Sequence, residues 1–165
     1  DTPVTWIDTS DMDFKEEFVG ETFGRINKEE AHLLLKELEA YILRIGGSRI
    51  LEERIDFGLI SPYKAQVQYL RGKIKGSATL RPYRSLITVN TVDGFQGQER
   101  DVIFISLVRA NEEGQIGFLN DLRRMNVAIT RARMKLVILG EAATLGHHAF
   151  YKQLLEYVKK VNGRQ

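Results

Sequence analysis

The chain has 165 residues, of which 43% are hydrophobic and 28% are charged, and it contains no cysteine. This length fits one domain that buries a core without metal or disulfide staples, and the missing cysteines exclude thiolate zinc sites and thiol nucleophiles. With 24 Lys and Arg against 22 Asp and Glu, the net charge of +2 does not argue for nucleic-acid binding by itself. No apolar run approaches the roughly 20 residues of a membrane span, so we expect no membrane insertion. Because the sequence begins at Asp1 with neither Met nor an apolar leader, we expect a fragment of a longer protein without a signal peptide.

Short apolar runs alternate with segments of helical spacing along the chain. The predicted elements are, in order, a strand at 4–7, a solvated acidic loop at 8–17, a helix from Asn27 to Gly46-Gly47, a strand at 57–60, a helix from Ser61-Pro62 to Gly76, a strand at 86–89, a strand at 102–108, a helix at 120–132, a strand at 136–139 and a helix at 149–161. The run 102–108 is almost wholly apolar and β-branched, which predicts the central strand of a parallel sheet. The alternation predicts an α/β sandwich with a mostly parallel sheet of about five strands in a single domain, 1–165.

Two helix starts carry specific signals. Asn27 followed by Glu30 resembles a capping box, in which the side chains of both residues bond backbone N–H groups. Ser61 is a good capping residue and Pro62 suits the first helical position. A strand is therefore predicted to lead directly into a capped helix at Ser61.

Ligands of open α/β sheets bind beyond the carboxyl ends of the strands, so polar residues at those ends are the candidate site residues. The segment 61–66 places a hydroxyl, an aromatic ring and free backbone N–H groups at a helix N-terminus, which suits a phosphate. An ordinary capped helix start, with Tyr63 in the core, explains the same residues. This segment alone does not decide between the two.

The turn 91–101 and the helix 120–132 are the other two candidates. Thr91, Asp93, Gln96 and Glu99 lie together with two glycines between buried strands, which favours a polar ligand site over a simple connection. Residues 123–135 contain five basic side chains and no acid, which indicates either an anion site or a solvated charged surface. Arginine fits phosphate oxygens, and Arg131 is a candidate arginine finger for phosphoryl transfer. The spacing of the histidines resembles no metal site, so no metal ligand is predicted.

Taken in order, these segments resemble motifs IV, V and VI of the second, C-terminal RecA-like domain of superfamily 1 helicases. The matching segments are 60–66 (ISPYKAQ), 91–99 (TVDGFQGQE) and 126–133 (NVAITRAR). Segments 108–111 (VRAN) and 116–120 (IGFLN) also resemble the branch that contains the nonsense-mediated RNA decay helicase. The start fits as well, with 7–9 (IDT) and 27–31 (NKEEA). The resemblance implies a RecA-like three-layer sandwich of the P-loop NTPase type.

The resemblance implies roles for individual residues. Arg131 and Gln96 would be catalytic, with Arg131 reaching the ATP γ-phosphate and Gln96 linking the nucleotide to the strand. The nucleotide would also be contacted or supported by Gly97, Glu99, Arg124, Arg133 and Lys28. A single strand of DNA or RNA would be touched or positioned by Ser61, Pro62, Tyr63, Thr91 and Asp93. We expect cytoplasmic helicase activity in the full-length protein.

The sequence lacks the phosphate-binding loop G-x-x-x-x-G-K-[ST] that such an enzyme needs. The resemblance assigns that loop, and the Mg²⁺ ligands, to an N-terminal RecA-like domain, so the fragment alone should hydrolyse no ATP. The alternative is a RecA-like module without catalysis that binds nucleic acid or another protein.

Overall fold

The computed structural model describes residues 2–20 and 24–162. The strands are β1 (Val4–Asp8), β2 (Glu17–Val19), β3 (Gly24–Ile26), β4 (Phe57–Ile60), β5 (Ile87–Asn90), β6 (Arg100–Ser106) and β7 (Ala132–Gly140). The helices are α1 (Lys28–Ile45), α2 (Gly47–Glu53), α3 (Lys64–Lys75), α4 (Leu122–Ile129), α5 (Ala142–Leu145) and α6 (Ala149–Asn162). Short 3₁₀ turns lie at Ser10–Met12, Arg81–Leu86, Asp93–Phe95 and Gly117–Asn120.

Five strands form a parallel sheet in the order β1-β7-β6-β4-β5. The strand β6 lies in the middle, as its apolar sequence predicts. Its side chains alternate between two cores, because successive residues of a strand point to opposite faces. Val102 and Phe104 pack with α1 and α3, while Ile103 and Ile105 pack with α4 and α6. The result is the predicted three-layer α/β sandwich of RecA-like arrangement.

The acidic stretch after β1 is not simply a solvated loop, which corrects that prediction. Its last residue, Glu17, begins the strand β2, which pairs antiparallel with β3. The carboxylate of Glu16, just before β2, is 8% exposed and is held by arginines. Three-residue strands carry too few apolar positions for a periodicity to reveal them.

The two predicted helix starts have different outcomes. The side chain of Asn27 accepts a hydrogen bond from the Glu30 backbone N–H at 3.0 Å, which confirms the cap of α1. Glu30 itself turns into the core, so the second half of the predicted capping box is wrong. The helix α3 begins only at Lys64, and Ser61 Oγ accepts from the Tyr63 N–H at 3.3 Å. Tyr63 is in an extended conformation, so Ser61 and Pro62 lie outside the helix.

Two other boundaries also differ from the prediction. The helix α4 ends at Ile129, because the chain joins the sheet as β7 from Ala132 onward. Gly46, with φ of +103°, ends α1 as predicted, but the chain at once begins α2. The short helices α2 and α5 were not predicted from the sequence, since each is only one to two turns long.

Candidate functional site

The predicted site residues lie at both ends of the parallel strands. Ser61, Pro62 and Thr91 follow the carboxyl ends of β4 and β5. Arg131 and Arg133 lie at the amino end of β7, at the opposite edge of the sheet. The expectation that all three segments gather beyond the carboxyl ends is therefore corrected. The reason is that α4 crosses the face of the sheet and delivers its last residues to the start of a strand.

The turn after β5 and the helix α4 cross the same face of the sheet side by side. Arg124 Nη2 lies 2.9 Å from Asp93 Oδ2, which ties the beginnings of the two segments together. Phe95 packs in the same core as Met125 and Ala128 of α4. The residues between these contacts and the start of β6 are exposed, among them Gln96, Gly97 and Glu99. Gly97 has φ of +74° and open space around it, so a ligand can approach its backbone closely.

The two segments meet again at the amino edge of the sheet. The Arg100 backbone N–H donates to the Arg131 carbonyl at 3.0 Å, next to the pair Arg100 and Ala132 in the β6–β7 ladder. This bond places the end of the turn that contains Gly97 and Glu99 directly beside Arg131. Residues more than thirty positions apart in sequence thus form one continuous surface.

Among the described residues, Arg131 is held by neutral oxygens alone. Its Nε donates to the Val127 carbonyl at 3.1 Å and its Nη2 donates to Thr130 Oγ1 at 3.3 Å. Within residues 2–20 and 24–162, no carboxylate lies within ion-pair distance of its guanidinium. The guanidinium is therefore oriented but not neutralised.

Arg133 is fixed by two carboxylates. Its Nε lies 3.1 Å from Asp101 Oδ1, and its Nη2 lies 3.2 Å from Asp56 Oδ1. The two aspartates also exchange backbone bonds, since Asp101 N–H donates to Asp56 Oδ1 and Asp56 N–H donates to Asp101 Oδ2. Burial opposes the ionisation of Asp101, but the Asp56 N–H and the Arg133 guanidinium outweigh it and lower the pKa of Asp101. The hydrogen bond to Asp101 in turn raises the pKa of Arg133.

The remaining two predicted nucleotide-site cations also lie near acids. Besides Asp93, Arg124 has Asp121 Oδ2 at 3.6 Å from its Nε. Lys28 Nζ, at the exposed start of α1, is 3.8 Å from Glu17 Oε2. Arg124 and Lys28 are half exposed, so these pairs are weak and can exchange partners.

Ser61 and Tyr63, which the resemblance implies touch or position the strand, are buried. Tyr63 is 3% exposed, its hydroxyl donates to the Ile116 carbonyl at 3.3 Å, and it accepts from Arg109 Nη1 at 3.2 Å. Pro62 and Thr91 are half-buried and Asp93 is exposed. Of the predicted strand-binding residues, Pro62, Thr91 and Asp93 therefore form the accessible part.

Sequence reasoning missed the buried ion pair of Glu16 and Arg109. Arg109 is 4% exposed, and its Nε donates to both carboxylate oxygens of Glu16, at 3.1 and 3.0 Å. The same carboxylate accepts from the Ala110 N–H and the Asn111 amide and pairs with Arg25. In the sequence, Arg109 comes directly after the predicted buried strand 102–108, and this is a signal that it needs a partner, because a buried charge requires one. The partner itself, Glu16, cannot be identified from local sequence.

A second buried cluster surrounds the end of β6. Glu30 is fully buried and accepts from Ser106 Oγ and from the Val108 N–H at 2.8 Å. Gln66 Nε2 donates to Ser106 Oγ at 3.1 Å, and Asn27 Nδ2 donates to the Val108 carbonyl at 3.1 Å. Burial raises the pKa of Glu30 to about 7, although the hydrogen bonds from Ser106 and Val108 lower it in part.

The cluster holds a strained turn. Val108 has φ of +71°, and the next N–H, of Arg109, donates to the Leu107 carbonyl at 2.7 Å. A γ-turn of this kind around a β-branched residue is unfavourable and persists only when its surroundings enforce it. Glu30 and Asn27 bond both backbone groups of Val108 and provide that support.

The described residues contain neither a metal-ligand cluster nor a membrane-spanning helix. Among residues 2–20 and 24–162, no three His, Asp or Glu side chains gather in a way that could hold a metal ion. None of the helices in the same ranges combines the length and apolarity that crossing a bilayer requires.

This is a RecA-like α/β domain, because its parallel sheet has helices on both faces. The turn after β5 and the helix α4, which basic residues follow, cross one of these faces. A family model described as "AAA domain" matches residues 1–143, and the chain belongs to that family. It is 39% identical over 145 residues to DNA polymerase alpha-associated DNA helicase A of Saccharomyces cerevisiae, a match of 87% of this chain and 20% of that protein. It is 38% identical over 149 residues to the Regulator of nonsense transcripts 1 homolog of Drosophila melanogaster, covering 88% and 12%.

A third relative is matched by nearly all of this chain. An uncharacterized ATP-dependent helicase of Methanocaldococcus jannaschii is 36% identical over 159 residues, covering 96% of this chain and 21% of that protein. The chain thus spans about a fifth or less of the length of these relatives. The predicted resemblance to superfamily 1 helicases, including the nonsense-mediated decay branch, is confirmed.

Proposed function

We propose that this chain is the second RecA-like motor domain of an ATP-dependent superfamily 1 helicase that acts on single-stranded DNA or RNA. Arg131 supplies the arginine finger, and Pro62, Thr91 and Asp93 form part of the strand track. The family membership and the printed names of the relatives, which are DNA helicase, ATP-dependent helicase and regulator of nonsense transcripts, support the class of activity.

The observation that carries the proposal is the different pairing of the four candidate cations. Arg124, Arg133 and Lys28 each lie within 4.0 Å of a carboxylate, whereas Arg131 has no such partner among the described residues. An arginine that is oriented by backbone but not neutralised is prepared for an anion that comes from outside the domain. An arginine that stabilises the charge on a phosphoryl group during its transfer raises the reaction rate about 10³- to 10⁵-fold.

In this proposal ATP binds between this domain and an N-terminal RecA-like domain, which would also hold the Mg²⁺ that would neutralise phosphate charge. Arg131 donates hydrogen bonds to the γ-phosphate when the two domains close. The open backbone at Gly97 and the exposed Glu99 lie beside Arg131 and contact the phosphates and ribose. Arg133 keeps its partners Asp56 and Asp101, so it fixes the start of β7 and with it the place of Arg131.

Gln96 is the proposed link between nucleotide and strand. It lies in the turn between Thr91, at the carboxyl edge of the sheet, and Glu99, near its amino edge. A nucleotide that shifts this turn also shifts Thr91 and Asp93. The Arg124–Asp93 pair couples the same turn to α4, which leads to Arg131.

The test uses the full-length protein that contains this chain. Arg131→Ala should lower ATP turnover by at least about 10²-fold, because the transition-state charge loses its donor. The matched control is Arg123→Ala, which removes an exposed arginine of α4, the helix that precedes Arg131, and should leave turnover near wild type. Thermal unfolding should be unchanged in both variants, since neither guanidinium packs in a core.

Two results would contradict the proposal. Turnover of Arg131→Ala equal to that of the control would remove Arg131 from the catalytic role. Strand binding that does not respond to any nucleotide, in a protein that also hydrolyses no ATP, would favour a non-catalytic binding module, because coupling requires that each ligand changes the affinity for the other.

A further inference from the structure

A long part of the chain carries only positive charge. Residues 57–92 contain six Lys and Arg and no Asp or Glu. Three of these cations, Arg71, Lys75 and Arg84, line one groove of about 420 Å³ beside β5. We call it the β5-edge groove. It is bounded by the end of α3, the 3₁₀ turn before β5 and the outer side of β5, which pairs with β4 on its other side.

The cations of the β5-edge groove have no acidic partner in the part of the chain that the structure describes. Arg71 Nε and Nη2 donate to the Val89 carbonyl at 3.0 and 2.6 Å, which fixes the guanidinium against the strand. Neither Arg71 nor the exposed Lys75 and Arg84 has a carboxylate within ion-pair distance among residues 2–20 and 24–162. Three cations that share a concave surface without acidic partners attract a polyanion.

The backbone of β5 argues against a peptide strand as the occupant. A peptide that extends a sheet needs free N–H and carbonyl groups on the outer edge. Here the Ile87 N–H already donates to the Arg84 carbonyl, and the Val89 carbonyl is occupied by Arg71. The edge therefore offers side-chain cations rather than backbone pairing, which fits phosphate groups.

The β5-edge groove runs along the strand that leads to Thr91 of the proposed strand track. The four residues of β5 extend about 13 Å, and Thr91 follows the last of them directly. A strand that contacts Thr91 at the carboxyl edge can therefore continue along the outside of β5.

We propose that the β5-edge groove is a second contact for the phosphate backbone of the single strand, beyond Pro62, Thr91 and Asp93. This inference rests on the proposed function, because it extends the strand that the function requires. The contacts would be to phosphates and would carry no base preference. They lengthen the strand that the domain holds and make its binding more dependent on salt.

The test measures the affinity of the full-length protein for homopolymer oligonucleotides of increasing length, by fluorescence anisotropy at several salt concentrations. The variant Lys75→Glu/Arg84→Glu is compared with Lys36→Glu/Lys152→Glu, which makes the same charge change at exposed lysines of α1 and α6. Circular dichroism verifies that both variants are folded.

Short strands that fill only the track should bind equally to both variants. Long strands should bind the groove variant about tenfold more weakly than the control variant. The slope of the logarithm of the binding constant against the logarithm of the salt concentration should become shallower by about 1.4, because two phosphate contacts of about 0.7 each are lost. Equal affinities and equal salt slopes of the two variants at every length would overturn the inference and leave the proposed function intact. A wild-type protein that binds no strand of any length would overturn both, and this outcome is distinct from the first.

Discussion

Glu30→Gln tests how the buried cluster at the end of β6 responds to pH. The carboxyl of Glu30 is fully buried, and one of its oxygens accepts from Ser106 Oγ and the Val108 N–H. The other oxygen, Oε2, has no hydrogen-bond partner among the described residues. Glutamine keeps the shape and the accepting oxygen but has no charge, so it represents the protonated form at every pH.

The size and sign of the effect follow from the pKa. Burial raises the pKa of Glu30 from 4.5 to about 7, and the charge of Glu141 acts in the same direction. Between these two values the folded protein holds a proton that the unfolded chain has released. The free energy of unfolding therefore falls by about 1.4 kcal/mol for each pH unit, or about 3 kcal/mol in all. The contribution is complete below pH 4.5 and is lost as the pH rises to about 7.

The assay is urea denaturation followed by circular dichroism at pH 5, 6, 7 and 8. The free energy of unfolding of wild type minus that of Glu30→Gln should fall by about 3 kcal/mol from the lowest to the highest pH, because glutamine does not titrate and the variant lacks this pH-dependent contribution. Glu29→Gln, an exposed neighbour on the same helix turn, should run parallel to wild type. If the difference for Glu30→Gln changes by less than about 1 kcal/mol, Glu30 does not titrate in this interval and the reasoning is wrong.

Two further substitutions test packing and pairing by the same denaturation assay. Glu16→Ala leaves a buried arginine unpaired and should cost about 3 to 5 kcal/mol, whereas Glu17→Ala, half exposed, should cost less than about 1 kcal/mol. Equal losses in the free energy of unfolding would show that the buried pair stabilises the fold no more than the exposed one. A Cβ at Gly58 would lie 2.6 Å from Ile103 Cδ1, so Gly58→Ala should cost about 1 to 3 kcal/mol. Gly72→Ala, in α3 with open space around it, should instead gain about 0.5 to 1 kcal/mol, and the reverse order of these two variants would contradict the packing described.

The repeating patterns of the sequence were enough to predict the layers of this domain. Each of the five strands of the parallel sheet overlaps an apolar run, and the most apolar run is the central strand β6. The Asn27 cap and the end of α3 at Gly76 were also predictable. These features depend on interactions between residues a few positions apart, so the local sequence contains the information. The motifs that resemble helicases are local in the same sense.

The tertiary structure alone decided which charged groups are free. Arg131 and Arg133 look alike in the sequence, yet only Arg133 meets Asp56 and Asp101, at separations of 77 and 32 residues. Glu16 likewise lies in an acidic stretch, yet its carboxylate is buried against Arg109, which is 93 residues away in sequence. Ion pairs of this kind depend on which strands are neighbours and on the edge at which each strand begins. That order is set by packing of the whole sheet, and no periodicity of a single segment records it.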